Sequence, residues 1–277
     1  MEALKNSDIF SRIQPHEYMR RFIDQQVRPD GRLLDRFRDT TITSNVISTA
    51  NASAMVRLGG TTVVCGIKAE VCEPNLQNPD QGFLVPNVEL SPMCSAKYRP
   101  GPPCEQAQTV SEIIHQLFQK SHIIPLTNLC IESGKAVWVL YADIICLNYD
   151  GNILDASVLA LVTALRQLTL PKSNVSAETM TVEADADDQI KPFELTRFPV
   201  ATTYCIFPSS HALLSDPNDT EEGLAKERIS VIMDTEGDLL HVYKNGATSL
   251  DIDVMRTCFE RTRKRMEEIK GDLLQNQ

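Results

Sequence analysis

The chain has 277 residues, enough for one large domain or two modest ones with a real buried core. Hydrophobic residues make up 42% and charged residues 23%, the balance of an ordinary globular protein. With 37 acidic against 27 basic residues the net charge is −10, which excludes general nucleic-acid affinity: any RNA contact must be a local basic patch or be shared with a partner.

The opening MEALKNSDIF is polar and lacks the apolar core of a secretory signal. Residues 16–26 carry Tyr18, Met19, Phe22 and Ile23 at helical spacing and end before Arg28-Pro29-Asp30-Gly31-Arg32, which predicts a turn. Residues 40–47 are rich in β-branched side chains, 53–58 alternate, and 61–71 follow a Gly59-Gly60 turn; all three predict strands. Residues 73–103, dense in Pro, Asn and Gly, predict one long irregular connection of the kind that often carries a binding surface. An amphipathic helix is expected over 105–119. Residues 136–147 form a nearly continuous apolar run, expected to be a strand buried on both faces and too short to span a bilayer. After the Asp150-Gly151 turn, Asp155 is expected to cap a helix that runs to about Leu168.

Residues 171–192 are polar and acidic, with the run 183–188, and predict a connection holding at most one edge strand. Beyond it, 200–207, 212–215, 228–233 and 239–243 predict strands, and 219–226 a short helical segment. Residues 252–273 predict a long helix with Ile252, Met255, Phe259, Met266, Ile269 and Leu273 on one face. Two sets of paired strands, each with helices, indicate a pseudo-duplicated α/β fold. Its expected segments are an N-terminal helix and arm (1–27), a first half (28–172), the acidic connection (173–196) and a second half (197–277).

The eight cysteines show no Cys-x-x-Cys spacing and sit mostly in apolar stretches, which predicts reduced, buried thiols in a nuclear or cytosolic protein. His16, His115, His122, His211 and His241 lack ligand spacing with Cys or carboxylates, so neither a metal nor a cofactor is expected. No P-loop or Gly-x-Ser-x-Gly string is present.

Several strings, taken in order, resemble the RNase PH superfamily: Arg28-Pro-Asp-Gly-Arg32, Gly59-Gly-Thr-Thr-Val-Val64, Phe83-Leu-Val-Pro-Asn-Val88, Tyr98-Arg-Pro-Gly-Pro-Pro103, Val137-Trp-Val-Leu-Tyr141 and Asp150-Gly-Asn-Ile-Leu-Asp-Ala156. Pro86-Asn87-Val88 and the Pro-Gly-Pro-Pro string are similar to the non-catalytic class of ring subunits of the RNA exosome. His16-Glu17-Tyr18, Arg20-Arg21-Phe22 and Ser48-Thr49-Ala50 look closest to one particular sister among them. The resemblance implies an RNase PH-type fold of two βαβ-like halves with mixed sheets. It also implies a heterodimer with another RNase PH-like subunit, then a six-membered ring around an RNA channel. Capping subunits with S1 and KH RNA-binding modules and a hydrolytic nuclease would accompany that ring, without a membrane. Roles in ribosomal RNA maturation, mRNA turnover and RNA surveillance would follow, in nucleus, nucleolus and cytoplasm.

Active relatives of that family attack the last RNA linkage with inorganic phosphate. The resemblance places their phosphate cradle at a helix N-terminus carrying Gly-Thr/Ser-Arg, where backbone N–H groups and a bidentate Arg hold the anion. Here Ile153 stands at the hydroxyl position and Leu154 at the Arg position, and Asp155, read as the cap, would occupy the helix N–H groups and repel a second anion. The family's acid, a proton donor or metal ligand, aligns with Arg228, which can be neither; Glu227 beside it should face the other side of its strand. The resemblance therefore implies a degenerate site at Ile153, Leu154, Asp155 and Arg228 and no catalysis. Asp216, Asp219, Glu221 and Glu222 keep an active phosphate-dependent exoribonuclease open as an alternative, although together they read as a solvated acidic loop. A free-standing RNA-binding adaptor is a further alternative. Arg57, Lys68, Lys97 and Arg99 are candidate contacts to RNA phosphates, set against plain surface cations. The basic run 261–265 reads as the polar side of the last helix or as a nuclear-import tag.

Overall fold

The structure is a computed structural model that describes residues 7–171, 173–175, 182–184, 191–207, 212–246 and 250–275. Two short helices, α1 (Ser7–Ile13) and α2 (Pro15–Asp24), lead through the 28–32 turn into β1 (Thr40–Ser44), β2 (Ala52–Leu58) and β3 (Thr61–Cys72). Then come β4 (Phe83–Leu90), α3 (Glu105–Lys120), β5 (Cys130–Glu132), β6 (Ala136–Asn148) and α4 (Ile153–Arg166). Short strands β7 (Thr169–Leu170), β8 (Ser173–Val175), β9 (Val182–Ala184) and β10 (Lys191–Pro192) follow. The chain ends with β11 (Pro199–Ile206), β12 (Leu213–Ser215), α5 (Asp219–Leu224), β13 (Glu227–Asp234), β14 (Leu239–Asn245) and α6 (Ile252–Gln275).

The first sheet runs β1-β2-β3-β6-β4, with β5 beside β6. Every pairing in it is antiparallel except β4 with β6. The second runs β12-β11-β13-β14 and is antiparallel throughout. Between them lies α4, packed on β2 and β3 from one side and on β11 from the other. Its sequence is apolar all round, and every residue from Ile153 to Leu165 is buried, which is what a helix between two sheets requires. On the far side of the second sheet, α6 seals the fold, with Thr262 Oγ1 hydrogen-bonded to Thr202 at 2.7 Å and to Tyr204 at 2.9 Å. Sheet, helix, sheet and helix make four layers.

Alternation along the first sheet puts Val56, Val63, Cys65 and Ile144 on the α4 side. Its outer face carries Val64, Val85, Tyr141, Ile145 and Leu147; Val85 is 43% and Tyr141 40% exposed. So β6 is buried on both faces only near its start, and from Tyr141 onward every second side chain is exposed, unlike the fully buried strand expected from its apolar run.

Other expectations also change. The region 73–103 is not wholly irregular, because it holds β4. Pro86 hides this strand in the sequence, yet β4 is the edge of the sheet, paired only with β6, and an edge strand tolerates a residue without an N–H. The described residues of the connection 171–192 hold three short strands, where at most one was expected. Residues 185–188 of the acidic run and His211 lie outside the described residues. Ile252 is 69% exposed and does not join the buried stripe of α6, which instead includes Cys258, Thr262, Arg265, Met266 and Ile269. Nor is 261–265 a continuous polar face. Arg261 donates to Leu213 O at 3.0 Å, and Arg265 is 9% exposed, stacked over Phe37 and bonded to Thr40. Among the described residues, no helix is long and apolar enough to cross a membrane and no His/Cys/Asp/Glu group could hold a metal ion. All eight cysteines are free, and Cys65, Cys94, Cys146, Cys205 and Cys258 are buried.

Candidate functional site

Three segments converge at the N-terminus of α4. The Asp150-Gly151-Asn152 turn enters the helix, the Asp216–Asn218 segment leads into α5, and β13 begins at Glu227. Gly151 has φ +77°, and a Cβ there would lie 2.5 Å from the Asn218 carbonyl carbon, so this crossing needs glycine. Asn152 follows at φ 54° and is the helix cap residue. Asn is one of the few residues that adopts this left-handed geometry readily.

Asp155 is therefore not the cap. It lies inside the first turn and is buried, and its carboxylate turns away to the second sheet. Oδ2 accepts from the Thr203 N–H at 2.8 Å and from Asn152 Nδ2 at 2.7 Å; Oδ1 accepts from Thr203 Oγ1 at 2.7 Å. Burial, opposed by these bonds, raises its carboxyl to about 7. Occupation of the helix N–H groups by Asp155, expected from its position near the helix start, is thus overturned.

The anion at the helix entrance is Glu222, from α5. Its Oε1 accepts from the Asn152 N–H at 2.8 Å, and its Oε2 accepts from the Tyr149 hydroxyl at 3.0 Å and pairs with Arg228 at 3.2 Å. Burial works against the Arg228 charge, but Glu222 outweighs it and the guanidinium is held more firmly protonated than usual. Tyr149 is pushed up by burial, then by Glu222. Tyr149 also accepts from Gln106 Nε2 at 2.8 Å, and Gln106 in turn accepts from Tyr98 at 3.0 Å.

Beside this cluster opens a cavity of about 530 Å³, bordered among others by Asn152, Ile153, Leu154, Thr203, Glu222 and Arg228. Ile153 and Leu154 are 3% and 6% exposed, so this wall is aliphatic. Arg228 stands on β13 with Asn245 opposite on β14 and Cys205 on β11. Glu227 alternates to the other face and meets Lys244 Nζ at 3.4 Å, as the pleat predicts.

The acidic segment 216–222 is no solvated loop. Asp216 and Glu221 are 0% exposed. Arg38 clamps Asp216 through Nε at 2.9 Å and NH2 at 2.8 Å, and its backbone N–H adds a third bond to the same carboxylate. Burial alone would raise the Asp216 carboxyl, but these bonds outweigh it and hold it below the usual carboxylate range. Arg28, buried in the first turn of the RNase PH-like strings, donates to Leu34 O at 2.8 Å, to Ser215 O, and to Glu221 at 3.3 Å. Burial lowers its basicity, and burial likewise raises Glu221. Glu221 also closes a capping box with Asn218 at the start of α5. The chain of contacts Arg28–Glu221, Arg38–Asp216–Asn152–Asp155–Thr203 ties both sheets to the helix entrance.

The four candidate RNA contacts do not form one patch. Lys97 borders the cavity, 3.1 Å from Asp219 and above the Tyr149 ring. Arg99 is exposed in the same loop. Arg57 and Lys68 are exposed on the outer face of the first sheet, where Arg57 pairs with Thr62, six positions and about 20 Å along β3 from Lys68.

A family model described as "3' exoribonuclease family, domain 1" matches residues 36–171, and one described as "3' exoribonuclease family, domain 2" matches residues 197–265. The chain is 41% identical to the exosome complex component rrp43 of Schizosaccharomyces pombe over 93% of this chain and 94% of that one. It is 34% identical to the exosome complex component Rrp42 of Methanopyrus kandleri, over 95% and 96%. The sister subunit suggested by residues 16–22 and 48–50, ribosomal RNA-processing protein 43, is the one whose name the S. pombe relative carries. Among solved structures, a chain of the Archaeoglobus fulgidus exosome with RNA bound to the active site matches with TM-score 0.82 at 30% identity, over 92% of this chain and 96% of that one.

Proposed function

The chain belongs to the 3' exoribonuclease family, and from that membership we propose that it is a non-catalytic subunit of an exosome ring, shaping the RNA path while another subunit cuts. The observation that carries the reading is the wall of the cavity at the entrance of α4. Ile153 and Leu154 present aliphatic side chains there, and Leu154 supplies no donor to a phosphate. Opposite stands Arg228, a fixed cation where a proton donor or metal ligand would be needed, with its charge committed to Glu222.

Ring membership is supported by the outer face of the first sheet. It leaves Val85, Tyr141, Ile145 and Leu147 between 37% and 43% exposed, with no layer over them among the described residues, the composition of a surface that a neighbour covers. RNA contact is assigned to Lys97 at the border of the cavity, to Arg99 in the same loop and, separately, to Arg57 and Lys68. Reversing the charge of Lys97 and Arg99 together should weaken RNA binding by the assembled ring and lower its salt slope by about 1 for each RNA phosphate left without its cation. An unchanged slope removes the assignment.

The catalytic reading is tested by incubating the purified protein with poly(A) and inorganic phosphate. No nucleoside diphosphate should appear. Release by protein free of partner subunits, lost on mutating the acids Asp216, Asp219, Glu221 and Glu222, would establish an active phosphorolytic enzyme instead.

A further inference from the structure

The acid seated at the entrance of α4 comes from the chain itself. Glu222 has only 8% of its side chain exposed, and both of its oxygens are held. One takes a backbone N–H from Asn152, and the other takes a guanidinium and a phenol hydroxyl. Those are the donors that would receive a free oxyanion: an N–H at the positive end of a fourteen-residue helix, a side-chain cation and a neutral hydroxyl.

The position of Glu222 is itself built. Asn218 and Glu221 cap α5 reciprocally, Arg28 anchors Glu221, and Arg38 anchors Asp216 just before the cap. Glu221 and Glu222 are neighbours, so α5 directs one carboxylate to the buried arginine and the other to the helix entrance.

We propose that Glu222 is an intramolecular anion that occupies an oxyanion seat made by the Asn152 N–H, Arg228 and the Tyr149 hydroxyl, and that it keeps free phosphate out of the cavity. The inference rests on the non-catalytic reading for its context and adds the residue that closes the site. Two features fit an occupied seat. The cavity beside it has about 530 Å³, ample for a phosphate, so steric lack of room is not what excludes one. Arg228 is spent on Glu222 and has no need of an exogenous anion. A second anion next to that carboxylate would meet like charge at close range, beside a guanidinium that is already paired.

The test measures inorganic phosphate binding by calorimetry on the full chain, for the wild type and for Glu222→Ala. The wild type should show no binding at millimolar phosphate. The alanine variant should bind at least about tenfold more tightly than the wild-type limit, and Glu222→Ala combined with Arg228→Leu should lose that gain. Equal binding by wild type and alanine variant, no binding by a folded alanine variant, or a double variant that still binds would each overturn the seat.

If Glu222→Ala does not fold, Glu222→Ser shortens the side chain so that it no longer reaches the Asn152 N–H and removes the charge. Its Asn152 amide resonance should then move on phosphate addition while the wild-type resonance stays still; a still resonance in the Ser variant overturns the proposal. None of these outcomes touches the poly(A) assay: nucleoside diphosphate release by the wild type would end the non-catalytic reading whatever the variants bind.

Discussion

Asp155 and Asp216 lie on either side of the Asn152 amide, and protonation acts on them in opposite senses. Asp155 has no cation of its own, and burial raises its carboxyl to about 7. The folded state therefore binds this proton more tightly than the unfolded chain does. Its contribution to stability is largest below about pH 4, declines by up to about 1.4 kcal/mol per pH unit on the way to pH 7, and is flat above. Asp216, held down by Arg38, contributes above the ordinary carboxylate range, and its contribution is lost as the pH falls through its lowered value. In Asp155→Asn the amide oxygen can still accept from the Thr203 N–H and its NH2 can donate to Thr203 Oγ1. This variant should match or exceed the parent in stability at pH 7.5 and lose the decline between pH 4 and 7, as followed by thermal melts across pH. A retained decline would place its origin elsewhere. Neither role was readable from local sequence. Asp155 looked like a cap because it begins an apolar run, and the left-handed turn at Asn152 that displaces it is a tertiary consequence of Gly151 crossing α5. Asp216 looked solvated because its cation, Arg38, lies 178 positions away.

At the scale of elements, periodicity revealed most of the helices and strands because burial on one face is local information. Strands 40–47, 53–58 and 61–71 became β1 to β3 with small shifts at their ends. What periodicity missed depends on neighbours. Pro86 reads as a breaker unless its strand is known to be an edge, and the apolar run of β6 does not tell which half has a second layer over it. That difference has a measurable size. Leu161, 0% exposed in the middle of α4, belongs to the main core cluster, and Leu161→Ala should destabilise by about 2–5 kcal/mol in urea unfolding. Leu147→Ala, at a side chain 38% exposed on the outer sheet face, should cost the isolated chain less than about 1 kcal/mol. Equal losses would mean that the outer face is covered within the chain.

For the whole molecule, that outer face matters most in company. Ile145→Asp, on the same face, should leave the melting temperature of the isolated chain nearly unchanged and strongly reduce recovery of partner subunits in a purified complex, measured by native mass. Intact assembly with Ile145→Asp would move the interface to another surface. The family was readable from ordered strings because they encode turns and strand ends that recur together. The entrance of α4 was only half readable: Ile153, Leu154 and Arg228 border one cavity, as their grouping in the sequence reading expects, whereas Glu222 reaches it from 70 positions beyond Asn152.

Shared ownership of α4 by both sheets also sets a schedule. The helix is complete at Arg166, but the sheet that covers its second side is complete only at Asn245. At translation rates of about 5–20 residues per second, a largely apolar helix waits several seconds on the ribosome with one side bare. The newborn chain thus passes through an interval in which a chaperone has a defined, helical target.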